Sequence, residues 1–242
     1  MSGHSKWASI KHKKAIVDQR RGKLFTKIIR EITVAARLGG GDPENNPRLR
    51  TAMDTAKEAN MPLDNVERAI KKGTGDLEGV NYEELFYEGY GPKGVAIYVA
   101  CLTDNKNRAA SEIRSIFSKN NGNLAGSGSV AWLFEKKGLL VLDAGQVKED
   151  QLMDLAINAG AEDLSRQDEK YEILTDPQNF ETVKKALLDA HLKPELATLQ
   201  MIPKNRVAIS KEEGKSVVTL IEALEDHDDV QNVYTNCEFP DN

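Results

Sequence analysis

The segment 138–204 carries a pattern that is complete in itself. Strand-like runs at 139–143, 161–167, 170–175 and 195–202 alternate with helical periodicity at 147–159 and 177–190. Period-two alternation marks the strands, and a 3.6-residue period marks the helices. The order βαββαβ is that of a ferredoxin-like unit. Lifting this segment out leaves strand-like Tyr82–Tyr90 and Val95–Leu102, a helix at 106–119, a strand Val130–Glu135, a helix at 212–226 and a strand at 230–236. A lone C-terminal helix and strand have no second layer on which to bury their apolar faces. The expected arrangement is therefore a domain at 138–204 inserted into a split α+β domain formed by 80–137 and 205–242, itself of ferredoxin-like type.

Residues 1–79 read as all-helical. A short basic helix is expected at 10–20, with Gly22 separating it from, or kinking it into, a helix at 23–38. At 100° per residue, Leu24, Phe25, Ile28, Ile29, Ile32, Ala35 and Ala36 share one arc, and Lys23, Lys27, Arg30 and Arg37 the opposite one. Gly39-Gly40-Gly41 ends this helix. Asn46-Pro47 reads as an N-cap followed by proline at the first helical position. A further helix runs over 63–72, with Gly73 as its C-terminal glycine. The fold class is thus α+β, an N-terminal helical domain followed by two α+β units, one inserted into the other.

Charge is distributed unevenly. The whole chain is formally −5, yet residues 1–37 hold ten Lys/Arg against Asp18 and Glu31, which is +8 and leaves −13 on the other 205 residues. A basic end on an acidic body suits a polyanion at one end and solubility at the other. Lys6, Lys11, His12, Lys13, Lys14, Arg20, Arg21, Lys23, Lys27, Arg30 and Arg37 are the candidate nucleic-acid contacts. Trp7 either stacks on an unpaired base or anchors the helical unit. Charge reversal of Lys23, Lys27 and Arg30 is expected to spare the fold, because those side chains sit opposite the apolar arc.

No catalytic, metal or cofactor site is expected. His4, His12, His191 and His227 lack metal-ligand spacing. Glu83-Glu84, Glu212-Glu213 and Asp228-Asp229 are sequence-adjacent pairs with no reason to converge. Gly126-Ser127-Gly128-Ser129 precedes a strand, whereas a phosphate loop opens onto a helix. Cys101 and Cys237 read as packed thiols of a reducing compartment. No apolar run is long enough to cross a membrane. Tyr98 and Phe134 stand isolated, so the α+β units are expected to meet a protein surface or another part of a large ribonucleoprotein.

Gly3-His4-Ser5-Lys6-Trp7, Arg21-Gly22-Lys23-Leu24-Phe25-Thr26-Lys27, Gly39-Gly40-Gly41-Asp42-Pro43 and Tyr87-Glu88-Gly89-Tyr90-Gly91-Pro92 resemble the YebC family, as do Asp104-Asn105-Lys106-Asn107-Arg108 and Gly128-Ser129-Val130. Ser9, where asparagine is expected, is a small departure. The resemblance implies a helical domain plus two α+β domains. It also implies a cytoplasmic regulator of gene expression without enzymatic activity, small-molecule substrate or membrane partner. Members of that family are described as probable DNA-binding transcriptional regulators, while some relatives act in translation on the ribosome at difficult sequences such as proline runs. DNA and ribosomal RNA both stay open as partners. The alternative is a protein-interaction scaffold whose basic arm docks an acidic partner.

Overall fold

The computed structural model describes residues 18–239, with side chains from Gly22 onward. The described residues form two compact units, one made of 18–131 and 207–239 and the other of 132–206.

In the first unit, α1 (Asp18–Gly39) is one helix through Gly22, so of the two expected outcomes there the separation is absent, while most of the expected helix at 10–20 lies outside the described residues. It packs with α2 (Pro47–Glu58) and α3 (Leu63–Thr74) around Ile28, Ile32, Ala35, Ala36, Leu49, Ala52, Ala56, Val66 and Ala69. Asn46 is buried and fixes the corner. Its Oδ1 accepts from the Leu49 N–H at 3.1 Å, capping α2, while its Nδ2 donates to the carbonyls of Ala35 and Gly40, both at 2.8 Å. Gly73 does not end α3. The helix continues to Thr74 and closes on Gly75 at φ +90°, while Gly73 lies against α1, where a Cβ would fall on the Thr33 carbonyl.

The same unit contains the sheet β3-β1-β2-β9, built from β1 (Glu83–Tyr90), β2 (Ala96–Thr103), β3 (Asn123–Leu124) and β9 (Val230–Thr235). All its pairings are antiparallel. One face is covered by α4 (Lys106–Lys119) and α7 (Lys211–Glu225), which bury Ile113, Phe117, Val217, Leu220 and Leu224. Asn105 caps α4 by accepting from the Arg108 N–H. Ser210 and Glu213 form a capping box at the start of α7. A parallel clip of β8 (Val207–Ala208) and β10 (Cys237–Glu238), too short to read from periodicity, holds the returning chain.

In the other unit, β4 (Phe134–Asp143), β5 (Ala161–Gln167), β6 (Lys170–Thr175) and β7 (Leu196–Pro203) make an antiparallel sheet of order β5-β6-β4-β7. Helices α5 (Glu149–Asn158) and α6 (Phe180–Asp189) pack on one face of it around Leu140, Leu142, Tyr171, Ile173, Leu152, Phe180 and Leu187. The expected strands at 130–135 and 139–143 are one ten-residue strand, preceded by a 3-10 turn at Ala131–Leu133. Gly138 does not interrupt it, because the strand uses the missing side chain to seat Phe180.

Candidate nucleic-acid interface

Of the residues the sequence nominates, Lys6, Trp7, Lys11, His12, Lys13 and Lys14 lie outside the described residues. Arg20 and Arg21 lie in the first turn of α1, where only the backbone is described. The remaining four cations have defined partners.

Lys23, Lys27, Arg30 and Arg37 recur along α1 at helical spacing, so they form one row. Its first three members face the α7–β9 connection. Lys23 Nζ donates to the Asp226 carbonyl at 3.1 Å and pairs with its carboxylate at 2.8 Å. Lys27 Nζ donates to the Glu225 carbonyl at 2.6 Å. These carbonyls end α7, whose last turn has no basic residue of its own. Two lysines of α1 thus supply the positive charge that a helix C-terminus favours.

Arg30 goes deeper. Its Nη1 donates to the carbonyls of Asp228 (2.8 Å) and Leu102 (3.2 Å) and to Asp229 Oδ1 (2.6 Å), and its guanidinium lies 5.3 Å from the Tyr82 ring centroid. The Asp229 side chain is 2% exposed and also accepts from Arg108 Nη2 at 2.9 Å and Thr103 Oγ1 at 2.8 Å. Burial pushes this carboxyl up, but the Arg108, Thr103 and Arg30 donors outweigh it and hold Asp229 below its ordinary value. Arg37 donates to Asn81 Oδ1 and the Tyr82 carbonyl.

The expected open row of cations is therefore engaged with the rest of the chain, most deeply at Arg30, and the expectation that reversing Lys23, Lys27 and Arg30 spares the fold is corrected accordingly. Reversing Arg30 would set a second acid against the buried Asp229. One signal was present in the sequence. Val34 sits within the cation row at the same spacing and is 1% exposed, which marks that side of α1 as packed. The receptors Asp226, Asp228 and Asp229 were out of reach of local pattern, lying about two hundred residues away.

The seam borders a cleft of about 440 Å³ lined by Lys23, Arg30, Arg108, Glu112 and residues 226–229. His227 bridges its wall. Its Nδ1 accepts from the Asp229 N–H at 3.1 Å, so Nε2 carries the proton toward Glu112 Oε2 at 2.7 Å. Carboxylates outnumber cations here, a poor setting for a phosphate.

A second tie runs through Arg48. Its Nε and Nη2 grip both oxygens of Glu31 at 2.6 and 3.1 Å, and Nη2 also reaches Glu84 at 2.9 Å. The glycine-rich segment 126–129 also has an internal role. Glu88, 4% exposed, accepts N–H bonds from Gly128 (2.7 Å), Val130 (2.6 Å) and Ala131 (2.8 Å). Burial pushes Glu88 up, yet these donors together hold it below the usual carboxylate value. The loop's amides serve the protein's own anion.

Cys101 is buried, and desolvation pushes its thiol up to about 12. Among the described residues, no group of three or more His, Cys, Asp and Glu could hold a metal, and no helix is long and apolar enough to cross a membrane.

Comparison with known proteins agrees with this architecture. Residues 5–76 match the model of the TACO1/YebC protein N-terminal domain, and residues 82–237 match that of the TACO1/YebC second and third domain. Proteins named "Probable transcriptional regulatory protein" from Desulfosudis oleivorans and Natranaerobius thermophilus are 56% and 57% identical, each match covering 100% of this chain and 98% of the relative. The crystal structure of a conserved hypothetical protein from Aquifex aeolicus superposes with a TM-score of 0.87 at 51% identity, over 98% of both chains. With a helical first domain followed by α+β units, and with both family models together covering nearly its whole length, this chain belongs to the TACO1/YebC family.

Proposed function

We propose that the protein is a non-enzymatic, nucleic-acid-binding regulator of gene expression that works in the cytoplasm and grips its target with residues 1–21. The observation that carries this reading is the concentration of positive charge near the start of the sequence. Lys23, Lys27, Arg30 and Arg37 are engaged within the chain, whereas the sequence before residue 22 adds Lys6, Lys11, Lys13, Lys14, Arg20 and Arg21 against Asp18 alone. Concentrated cations at one end of an acidic chain favour phosphate through counterion release.

RNA is the favoured target, with the ribosome as its setting and relief of stalled translation as the outcome. The cation row of α1 is turned into protein, so this helix does not present a basic face to a duplex groove as a recognition helix does. A Trp within a basic segment suits unpaired bases. The DNA reading draws its support from the relatives' names.

Crosslinking in cells followed by sequencing of the bound nucleic acid separates the two. Ribosomal RNA is the expected recovery, and discrete promoter fragments would overturn it in favour of transcription. In vitro, six neutralised phosphates predict log K falling against log salt with a slope of about −4 on single strands and about −5 on duplex DNA. Failure to bind any nucleic acid at low salt would replace this reading with the protein scaffold.

A further inference from the structure

We infer that the sheet β3-β1-β2-β9 carries a stacking platform for an unpaired base of a single-stranded nucleic acid, centred on Phe86; the inference rests on the nucleic-acid reading above and adds a second contact surface to it.

The residues come from distant parts of the chain. In β1, Gly89 faces Phe117 of α4 and the Tyr87 hydroxyl donates to the Lys106 carbonyl, so the odd-numbered residues point to the helices. Strand alternation puts Glu84, Phe86 and Glu88 on the opposite face. Register places Tyr98 of β2 diagonally beside Phe86, directly across from Glu88, and Tyr234 of β9 directly across from Tyr98. The Phe86 and Tyr98 rings are stacked, with centroids 5.3 Å apart and planes 5° from parallel, and Tyr234 continues the row at 6.5 Å with a tilt of 33°. Tyr98, isolated in the sequence, thus belongs to an aromatic ladder across two central strands and an edge strand.

Phe86 ends the ladder. It is 48% exposed. On that side β3 pairs only with Gly89 and Tyr90, so among the described residues no strand flanks Phe86. A flat ring at the open end of a stack offers a base the same offset contact that Tyr98 already makes from the other side. The charges allow it. Glu84 is held by Arg48, Glu88 is turned inward onto backbone amides, and Glu83 projects from the opposite face, so no free carboxylate on this face of β1 repels a phosphate. Phe86 and Tyr90, the latter 36% exposed and tied through its hydroxyl to the Ser129 carbonyl, are the exposed large apolar side chains on this face of β1, and two rings fall far short of the roughly 800 Å² per partner of a stable protein interface.

Neutral surroundings also set this contact apart from residues 1–21, because stacking releases no counterions. The test measures binding of the full chain to a short labelled oligouridine and to a duplex of the same length, across a salt series. Phe86→Ala and Phe86→Leu should each weaken oligouridine binding roughly 5- to 150-fold, the range for one stacked base, with an unchanged salt slope and unchanged duplex binding. Phe86→Trp should bind as wild type does. Lys11→Glu/Lys13→Glu/Lys14→Glu should instead weaken both probes and flatten the slope. Phe86→Leu tests the ring without emptying the site, so a folding defect confined to Phe86→Ala does not mislead. Oligouridine binding unaffected by Phe86→Leu overturns the platform and leaves the basic segment standing, as does a wild type that binds duplex alone. A wild type that binds neither probe removes both.

Discussion

Replacing Asp229 by alanine isolates the contact that holds α1 to the split domain. The carboxylate is 2% exposed and receives Arg30, Arg108 and Thr103. Arg30, with 13% of its side chain exposed, would lose its only carboxylate among the described ion pairs while staying buried. Breaking a buried pair from one side costs about 3–5 kcal/mol, because the surviving charge is left uncompensated. Arg108 adds little, since it keeps Asp104 and is 42% exposed. For a protein of this size each kcal/mol lowers Tm by about 2–4 °C, which predicts a fall of about 6–20 °C. Asp226→Ala is the matched control. It removes an exposed partner of Lys23 and should cost under about 1 kcal/mol. Thermal melts followed by circular dichroism, with hydrogen exchange on the amides of α1 and α7, read the result. An Asp229→Ala protein melting within about 2 °C of wild type would refute the claim that this carboxylate carries the seam.

Acid should act through the same groups. Asp229, Glu88 and Glu213 all lie below their ordinary values, Glu213 at about 2 through the Ser210 N–H and Lys93. Each contribution is therefore full above the ordinary carboxylate range and lost as pH falls through the folded value. Denaturant midpoints should decline from about pH 4.5 downward, and a flat profile to about pH 2.5 would contradict this. Glu88→Ala strands three N–H donors, so a loss of about 2–4 kcal/mol and faster proteolysis within 125–131 are expected. Gly73→Val places a Cβ on the Thr33 carbonyl and 2.7 Å from Ala36 Cβ, and should cost about 2–3 kcal/mol in chemical denaturation. Cys101 and Cys237 are buried, and a thiol reagent should modify them only as fast as the protein unfolds.

Features carried by local pattern were legible in the sequence. The βαββαβ order, the apolar arc of α1 and the cap at Asn46 each depend on neighbours within a few residues. Boundaries failed where tertiary contact overrode local chemistry. Gly22 is tolerated inside a long helix, Gly73 serves packing instead of termination, and Gly138 lets β4 pass close to Phe180. The cation row was visible but its destination was not, because a lysine facing solvent and one capping a distant helix look alike in sequence. The ladder of Phe86, Tyr98 and Tyr234 depends on strand register, which no spacing along the chain reveals.

The split fold has a consequence for biosynthesis. Lys23, Lys27 and Arg30 leave the ribosome about two hundred residues ahead of residues 225–229, which receive them. At about 5–20 residues per second that interval is about 10–40 s. Throughout it the nascent chain displays its cations unshielded beside the ribosome's own polyanion, and only the arrival of residues 225–229 withdraws them. A stop codon anywhere before residue 225 would leave that early charge permanently exposed.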